Sequence, residues 1–125
     1  MEKVLFVALG GGIGAACRYL LTQFSNAHGG TIFPYGTVLA NVIGSFLIGL
    51  LFVFFEAHSN LSPVCKLLLV TGVLGGFTTF STYNMELLTF ARSGEFTSAL
   101  LYLTLNVVGG FIACWLGVTV GNSAM

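Results

Sequence analysis

Four long apolar segments, separated by short polar stretches, make up most of the chain. They cover residues 4–24, 36–55, 65–91 and 97–120. A helix of about 20 apolar residues crosses the roughly 30 Å hydrocarbon core of a membrane, so each segment is long enough to span it. Backbone groups in lipid must pair within their own segment, which favours helices. The pattern predicts an all-α integral membrane protein with four transmembrane helices, forming a single membrane domain over residues 1–125.

The third apolar segment changes character in its middle, near residues 75–82. The sequence there is GGFTTFST, in which glycines and hydroxyl residues interrupt the aliphatic run. Such residues disfavour an uninterrupted helix. Irregular backbone persists at membrane depth only where protein or a water-filled cavity covers it, and broken helices there recur at ion and substrate sites. We expect a helix broken in mid-membrane, with a kinked packing helix as the alternative.

Polar residues recur at four-residue spacing in the second and fourth segments. The first stripe consists of Thr37, Asn41 and Ser45, and the second of Tyr102, Asn106 and Gly110. Residues four apart share one face of a helix. Two such stripes beside a hydroxyl-rich break indicate a polar path through the bilayer. An amide in hydrocarbon needs a partner, so Asn41 either bonds a neighbouring helix or lines that path.

The first and third segments also contain a glycine pair and two charged residues. Gly10 and Gly14 form a GxxxG pair, which we expect to be a helix-packing face. Arg18 either extends to the membrane surface or lines an aqueous vestibule. Glu86, beyond the predicted break, is either interfacial or a vestibule residue.

Composition excludes a soluble domain and a nucleic-acid-binding protein. Of the 125 residues, 56% are hydrophobic and only 6% are charged, whereas soluble domains carry roughly a quarter charged residues. The four basic and four acidic side chains give a net charge of zero, without a basic patch for nucleic acid. The three cysteines have no metal-ligand spacing, and we expect free thiols.

The basic residues are evenly divided between the two sides of the predicted membrane helices. Lys3 and Lys66 fall on one side, and Arg18 and Arg92 fall on or toward the other. Orientation normally follows an excess of Lys and Arg in cytoplasmic loops. The balance predicts insertion in both orientations, with opposed copies pairing about a twofold axis as an antiparallel dual-topology homodimer.

Three motifs carry a resemblance to a known family. They are GGIG at 11–14 leading to Arg18-Tyr19, GTVLAN at 36–41 followed by Gly44, and GGFTTFST at 75–82. In order and spacing, the chain resembles the Fluc (CrcB) fluoride channels over nearly its whole length. The resemblance implies a passive channel and not an enzyme. It further implies a multi-pass protein of the cell inner membrane, forming an antiparallel homodimer in the lipid bilayer. Its two pores would let fluoride leave the cytoplasm and protect the cell from fluoride toxicity.

The resemblance also assigns roles to individual residues. The residues that match the fluoride pore are Asn41, Phe80, Ser81, Thr82, Tyr83, Tyr102 and Asn106. Arg18 and Glu86 match vestibule residues. Backbone carbonyls of Gly75 and Thr78 from both subunits would hold a structural sodium ion at the dimer interface.

Two positions depart from the family pattern. Tyr83 stands where the family carries the second of two phenylalanines, so its ring edge is retained and a hydroxyl is added. Gly110 stands where some relatives carry serine.

Elementary chemistry is compatible with this identity and leaves two alternatives open. A small hydrated anion needs compact donors, which amides, hydroxyls and the positive edges of aromatic rings supply. A proton-coupled multidrug exporter of the small four-span kind is the first alternative. It should carry a carboxylate deep in the first span, where this chain has none, so Glu86 would have to serve. A membrane scaffold protein, for which the glycine pairs suffice, is the second.

Overall fold

The computed structural model describes residues 1–30 and 32–125, and the regular structure in them is helical. Its elements are α1 (Glu2–Gly29), α2 (Tyr35–Ala57), α3 (Pro63–Lys66), a π-helical segment (Leu67–Leu74), α4 (Gly75–Phe77), α5 (Ser81–Arg92) and α6 (Phe96–Ala124). Within these described residues, four stretches are long and apolar enough to cross a membrane: α1, α2, the interrupted stretch Pro63–Arg92, and α6. The prediction of an all-helical chain with four candidate spans, the third of them bent, is confirmed.

The first helix is longer than its apolar segment. α1 has 28 residues and ends at Gly29, followed by Gly30 with a φ of 80°, a conformation that glycine adopts at little cost. Arg18 therefore lies within the helix, about 24 Å along its axis from Glu2. The apolar pattern fades before the helical hydrogen bonding does, which is why the sequence places the end of this element too early.

Glycines bring α1 into close contact with the first half of the third span. A β-carbon at Gly14 would lie against the Val73 carbonyl oxygen, and one at Gly76 would lie against the Gly11 carbonyl oxygen. Gly10 approaches the same stretch of backbone. The predicted role of Gly10 and Gly14 as a packing face is confirmed, and the backbones at this contact approach too closely for any side chain to fit between them.

A second glycine contact joins α2 to α6. A β-carbon at Gly49 would meet the Cys114 carbonyl oxygen, and one at Gly117 would meet the Phe46 carbonyl oxygen. Helix α5 also packs against α6. The four spans are thus arranged as two closely packed pairs, with the second half of the third span lying against α6.

The third span changes its winding twice. Over Leu67–Leu74 it is a π-helix, whose hydrogen bonds close one residue later than those of an α-helix. It tightens again over α4 and then leaves the helical conformation at Thr78, which is extended with φ −85° and ψ 157°. Helical structure resumes at Ser81. Gly75 and Gly76 remain helical, and the break itself is confined to residues 78–80.

Aromatic rings fill the space beside the break. Tyr102 is fully buried. Its ring centroid lies 5.4 Å from that of Tyr83 and 5.8 Å from those of Phe33 and Phe90. Phe33 comes from the connection between α1 and α2, so this cluster ties that connection to α5 and α6.

Candidate functional site

A groove with a volume of about 380 Å³ opens at the break in the third span. It is lined by Asn41, Gly44, Ser45, Ile48, Val70, Leu74, Gly75, Thr78, Thr79, Phe80, Tyr83, Asn106 and Val107. These residues come from α2, the third span and α6. Every residue of this lining is uncharged, and the set includes both polar and aliphatic side chains. The groove can therefore offer hydrogen bonds without a charged side chain.

Asn41 of α2 takes over the backbone hydrogen bonds that the break removes. Its Nδ2 donates to the Thr79 carbonyl oxygen at 3.0 Å, and its Oδ1 accepts from the Thr79 N–H at 2.8 Å. In a continuous α-helix, the Thr79 N–H would donate to the carbonyl of Gly75. The amide side chain replaces that helical partner, so the extended backbone remains paired at membrane depth.

The amide of Asn41 also connects the two polar stripes. Its Nδ2 donates to Asn106 Oδ1 at 2.8 Å, and Asn106 Nδ2 in turn donates to the Tyr102 carbonyl oxygen at 3.0 Å. Asn41 and Asn106 both line the groove. The stripes of α2 and α6 therefore face each other at the level of the break.

Arg18 of α1 supports the residues just before the break. Its Nε donates to the Gly76 carbonyl oxygen at 3.2 Å. In a continuous helix, that carbonyl would accept from the N–H of Phe80. A charged donor strengthens such a bond. The two side chains Asn41 and Arg18, from two different helices, thus pair backbone groups that the third span leaves without helical partners.

Hydroxyl groups complete the polar part of the break. Thr78 Oγ1 donates to the Leu74 carbonyl oxygen at 2.9 Å. Thr79 Oγ1 accepts from the Thr82 N–H at 3.3 Å, in the first turn of α5. Helix α5 begins at Ser81, directly after the groove residue Phe80. The helix dipole gives this N-terminal end a partial positive charge.

Two of the predicted aromatic residues lie together in the groove and a third lies behind it. Phe80 and Tyr83 both line the groove, with ring centroids 5.8 Å apart and an interplanar angle of 39°. The side chain of Phe80 is 75% exposed on the single chain, whereas Tyr83 is only 5% exposed. Tyr102 is fully buried on the far side of Tyr83.

The remaining predicted residues lie on α5, outside the groove lining. Ser81 and Thr82 are exposed in its first turn. Glu86 is half-buried, and its Oε1 accepts from the hydroxyl of the buried Thr37 at 2.7 Å. Among the described residues, three side-chain oxygens are buried without a hydrogen-bond partner: Glu86 Oε2, the Tyr102 hydroxyl and, on α1, Ser25 Oγ. Glu86 thus joins α5 to α2 close to the aromatic cluster.

Comparison with known proteins identifies the family. Residues 5–118 match the model of the family described as CrcB-like protein, Camphor Resistance (CrcB). The chain belongs to this CrcB family. The resemblance expected from the three motifs is confirmed.

Several curated relatives of this CrcB chain are named fluoride-specific ion channel FluC. The protein of Acidobacterium capsulatum is 46% identical over 120 residues, which are 96% of each chain. The protein of Flavobacterium psychrophilum is 40% identical over 122 residues, 98% of each chain. The protein of Aquifex aeolicus is 44% identical over 124 residues, 98% of this chain and 99% of the relative. With four candidate spans and relatives named as ion channels, the CrcB chain is a multi-pass membrane protein.

Two groove residues with polar side chains, Ser45 and Thr79, are missing from the set of site residues predicted from the sequence. Ser45 lies one helical turn beyond Asn41 in the first polar stripe, and that spacing was a signal for it. A β-carbon at Gly110 would lie 3.3 Å from Ser45 Oγ, so the Ser45 hydroxyl occupies the space beside this glycine. Thr79 forms hydrogen bonds at the break through its backbone N–H and carbonyl as well as through its hydroxyl. A pattern of side chains in the sequence cannot reveal the backbone bonds.

Gly75 and Thr78, the predicted sodium ligands, lie just before and at the break of the third span. Both line the groove, and Gly75 is exposed on the single chain. The Thr79 N–H, the helical donor for the Gly75 carbonyl, is taken by Asn41. Carbonyl oxygens are hard ligands that suit hard cations. The donor chemistry of the CrcB chain therefore fits the predicted sodium ion, which a partner subunit would have to help enclose.

Proposed function

We propose that this chain is a passive, fluoride-selective channel that lets fluoride leave the cytoplasm across the cell inner membrane and so protects the cell from fluoride toxicity. The observation that carries the proposal is the uncharged groove at the break of the third span, whose lining includes amide and hydroxyl groups. It occurs in a chain whose relatives at 40–46% identity are named fluoride-specific ion channels.

The groove offers what a small anion loses when it leaves water. Amide and hydroxyl groups donate hydrogen bonds, and the edges of aromatic rings carry a partial positive charge. Asn106, Ser45, Phe80 and Tyr83 supply these groups along the groove. Because no side chain of the lining is charged, an anion is held weakly enough to move on, as conduction requires.

The membrane potential supplies the driving force. In a cell with a negative interior, moving one negative charge outward is favoured by about 2.3 kcal/mol per 100 mV. A passive pore therefore exports fluoride without a coupled ion. The exporter and scaffold alternatives are not favoured, because the curated relatives are named as ion channels.

The proposed assembly is an antiparallel homodimer. The groove is open on the single chain, where Phe80 is 75% exposed beside it, and a second copy would close it. The even division of Lys and Arg allows insertion in both orientations. Reporter fusions at the C-terminus should then be found on both sides of the membrane, and strictly one-sided labelling would contradict the antiparallel arrangement.

A structural sodium ion at the centre of that dimer is part of the proposal. Gly75 and Thr78 of each subunit would hold it through carbonyl oxygens. An experimental structure of the dimer should contain non-water density on the twofold axis, bound by main-chain oxygens of both chains. Side chains filling that axis would rule the ion out.

The decisive experiment is anion efflux from liposomes that contain the purified protein. Fluoride release should rise far above that of protein-free liposomes, while chloride release should not. Equal fluoride release with and without the protein would refute the proposed function, and drug uptake driven by a proton gradient would favour an exporter instead.

A further inference from the structure

The two polar stripes lead from the groove toward the end of the bundle where α1 connects to α2. Thr37 and Tyr102 are the first members of the stripes, one helical turn before the groove residues Asn41 and Asn106. Thr37 lies about 3 Å along α2, and Tyr102 about 9 Å along α6, from the first residue of each helix. Phe33, from the connection, lies at this same end.

The polar groups at this end are buried although they lie close to the ends of their helices. Thr37 is 5% exposed, and Tyr102 is fully buried. Glu86 of α5 is half-buried and accepts a hydrogen bond from the Thr37 hydroxyl. Polar groups favour contact with water, so their burial here requires that other side chains fill the space above them.

Two phenylalanine rings fill that space. The Phe33 ring meets the Tyr102 ring edge-on, with centroids 5.8 Å apart and an interplanar angle of 85°. It also lies 5.9 Å from the ring of Phe90, a buried residue of α5. Phe33 itself is only half-buried and belongs to no helix. Phe33 thus combines a contact to the fully buried Tyr102 with a partly exposed surface.

A tight turn holds the backbone of Phe33 in place. Pro34 has φ −80° and ψ 69°, and the Tyr35 N–H donates to the Phe33 carbonyl oxygen at 2.9 Å. This is an inverse γ-turn, whose φ the proline ring presets. The Tyr35 ring lies beside Gly29 of α1, where a β-carbon would come within 3.2 Å of it. The turn therefore presents the Phe33 ring to the bundle in a defined position.

We propose that Phe33 is a hydrophobic constriction at this end of the polar path, where its ring keeps water from Tyr102 and limits the rate at which fluoride passes. The inference rests on the proposed channel function and adds a rate-limiting residue outside the groove. The ring has no N–H or O–H group to replace the water that an ion loses. A passage that it narrows is therefore poorly hydrated and slow to cross.

The first test measures water access to Tyr102 and does not depend on conduction. Hydroxyl radicals generated in water modify tyrosine rings that water reaches, and mass spectrometry of the full chain in lipid nanodiscs quantifies each site. Modification of Tyr102 should rise at least threefold in Phe33→Ala, measured against the 63% exposed Tyr19 as internal reference. Phe96→Ala, the same change at an exposed residue at the start of α6, should stay at the parental level. No rise in Phe33→Ala, or an equal rise in both variants, would overturn the inference.

The second test measures fluoride current through single proteins in planar bilayers. Phe33→Ala should raise the current at least threefold, Phe33→Leu should raise it less, and Phe33→Trp should lower it. A residue that only packs the aromatic cluster would give the opposite sign in Phe33→Ala, because a loosened cluster would displace Tyr102. An unchanged or lower current in a Phe33→Ala protein that elutes like the parent in size exclusion would overturn the inference. If Phe33→Ala yields no intact protein, a Phe33→Trp current equal to or above that of Phe33→Leu would overturn it instead.

The proposed function and the constriction fail in different ways. If the parent protein carries no fluoride, the proposed function is wrong and the rate-limiting role falls with it, whatever the labelling of Tyr102 shows. If the parent carries fluoride but Phe33→Ala fails either test, only the constriction is wrong.

Discussion

The third span is held in two different ways before and after its break. Before the break, it packs against α1 through Gly10, Gly14 and Gly76, where backbones touch because side chains are absent. At the break, Asn41 and Arg18 reach in from other helices and bond its backbone directly. The first contact depends on volume and the second on hydrogen-bonding capacity. Substitutions that add volume and substitutions that exchange donors should therefore have separable effects.

The largest effect is expected where volume is added to the glycine contact. In Gly14→Ala, the new β-carbon would meet the Val73 carbonyl oxygen and the backbone of Phe77, so α1 and the third span must move apart. Overpacking of this kind costs about 1–3 kcal/mol, and more where backbone is the obstacle. Thermal unfolding in detergent should show a clearly lowered midpoint and a reduced yield of monodisperse protein.

Gly12→Ala is the matched control for that substitution. It makes the same change on the same helix, but a β-carbon at Gly12 would have open space around it. Its stability should stay within about 0.5 kcal/mol of the parent. Equal losses in the two variants would mean that the contact between α1 and the third span does not depend on volume.

The next effect is expected at the polar contact. Asn41→Asp removes the donors to the Thr79 carbonyl and Asn106 and adds a negative charge beside the groove when ionised. Fluoride efflux should fall by roughly a hundredfold, equal to ~2.8 kcal/mol, which is within the cost of leaving two buried groups unpaired. Size exclusion should show an intact protein.

Asn60→Asp, in the exposed connection between α2 and α3, is the control and should conduct like the parent. If Asn41→Asp also conducts near the parental rate while intact, Asn41 has no role at the pore. If its flux falls only in proportion to lost assembly, Asn41 serves to join helices.

A smaller effect is expected from the aromatic wall. Tyr83→Ile removes a ring edge from the groove and should lower fluoride efflux about tenfold, corresponding to ~1.4 kcal/mol. Tyr83→Phe keeps the ring and loses only the hydroxyl, so it should retain most of the flux. Liposome efflux measured side by side distinguishes the two, and equal flux in both variants would remove Tyr83 from the pore.

The smallest effect is expected at the point where the groove meets α6. In Gly110→Ala, the β-carbon would lie 3.3 Å from Ser45 Oγ, which must shift by a few tenths of an ångström. We expect a two- to threefold lower fluoride efflux at unchanged stability, about 0.5 kcal/mol at the barrier. Gly109→Ala, whose β-carbon would meet only a methyl group at 3.7 Å, should leave efflux unchanged. A reduction in both variants would show that the effect does not come from Ser45.

The sequence predicts the fold and the break because both depend on local composition. Apolar length predicts the four spans, and GGFTTFST predicts the interruption of the third. The spacing of Asn41 and Asn106 predicts two polar faces, but not that the faces meet. The bond from Arg18 to the Gly76 carbonyl depends on the register between α1 and the third span. That register is set by packing between segments distant in the sequence. It cannot be predicted from the fact that residue 18 is an arginine and residue 76 a glycine.

The π-helical winding was not predicted for a similar reason. Residues 67–74 read LLLVTGVL, which is typical of any buried membrane helix. Nothing in their local preference distinguishes a wide turn from an ordinary one. What the structure adds is that this stretch packs along its length against α1.

That wide turn also bears on how the chain tolerates changes in its length. A π-helix holds more residues over a given rise than an α-helix, so Leu67–Leu74 has more residues than an α-helix of the same length would need. After a one-residue deletion there, the segment can wind as an α-helix and leave Gly76 and Thr79 facing Arg18 and Asn41. α1 is a regular α-helix with no extra residue to lose, so a one-residue deletion there would rotate the residues beyond it by about 100° about the helix axis. Single-residue deletions scored by monodisperse yield should therefore be tolerated in Leu67–Leu74 and not in α1, and equal losses would contradict this.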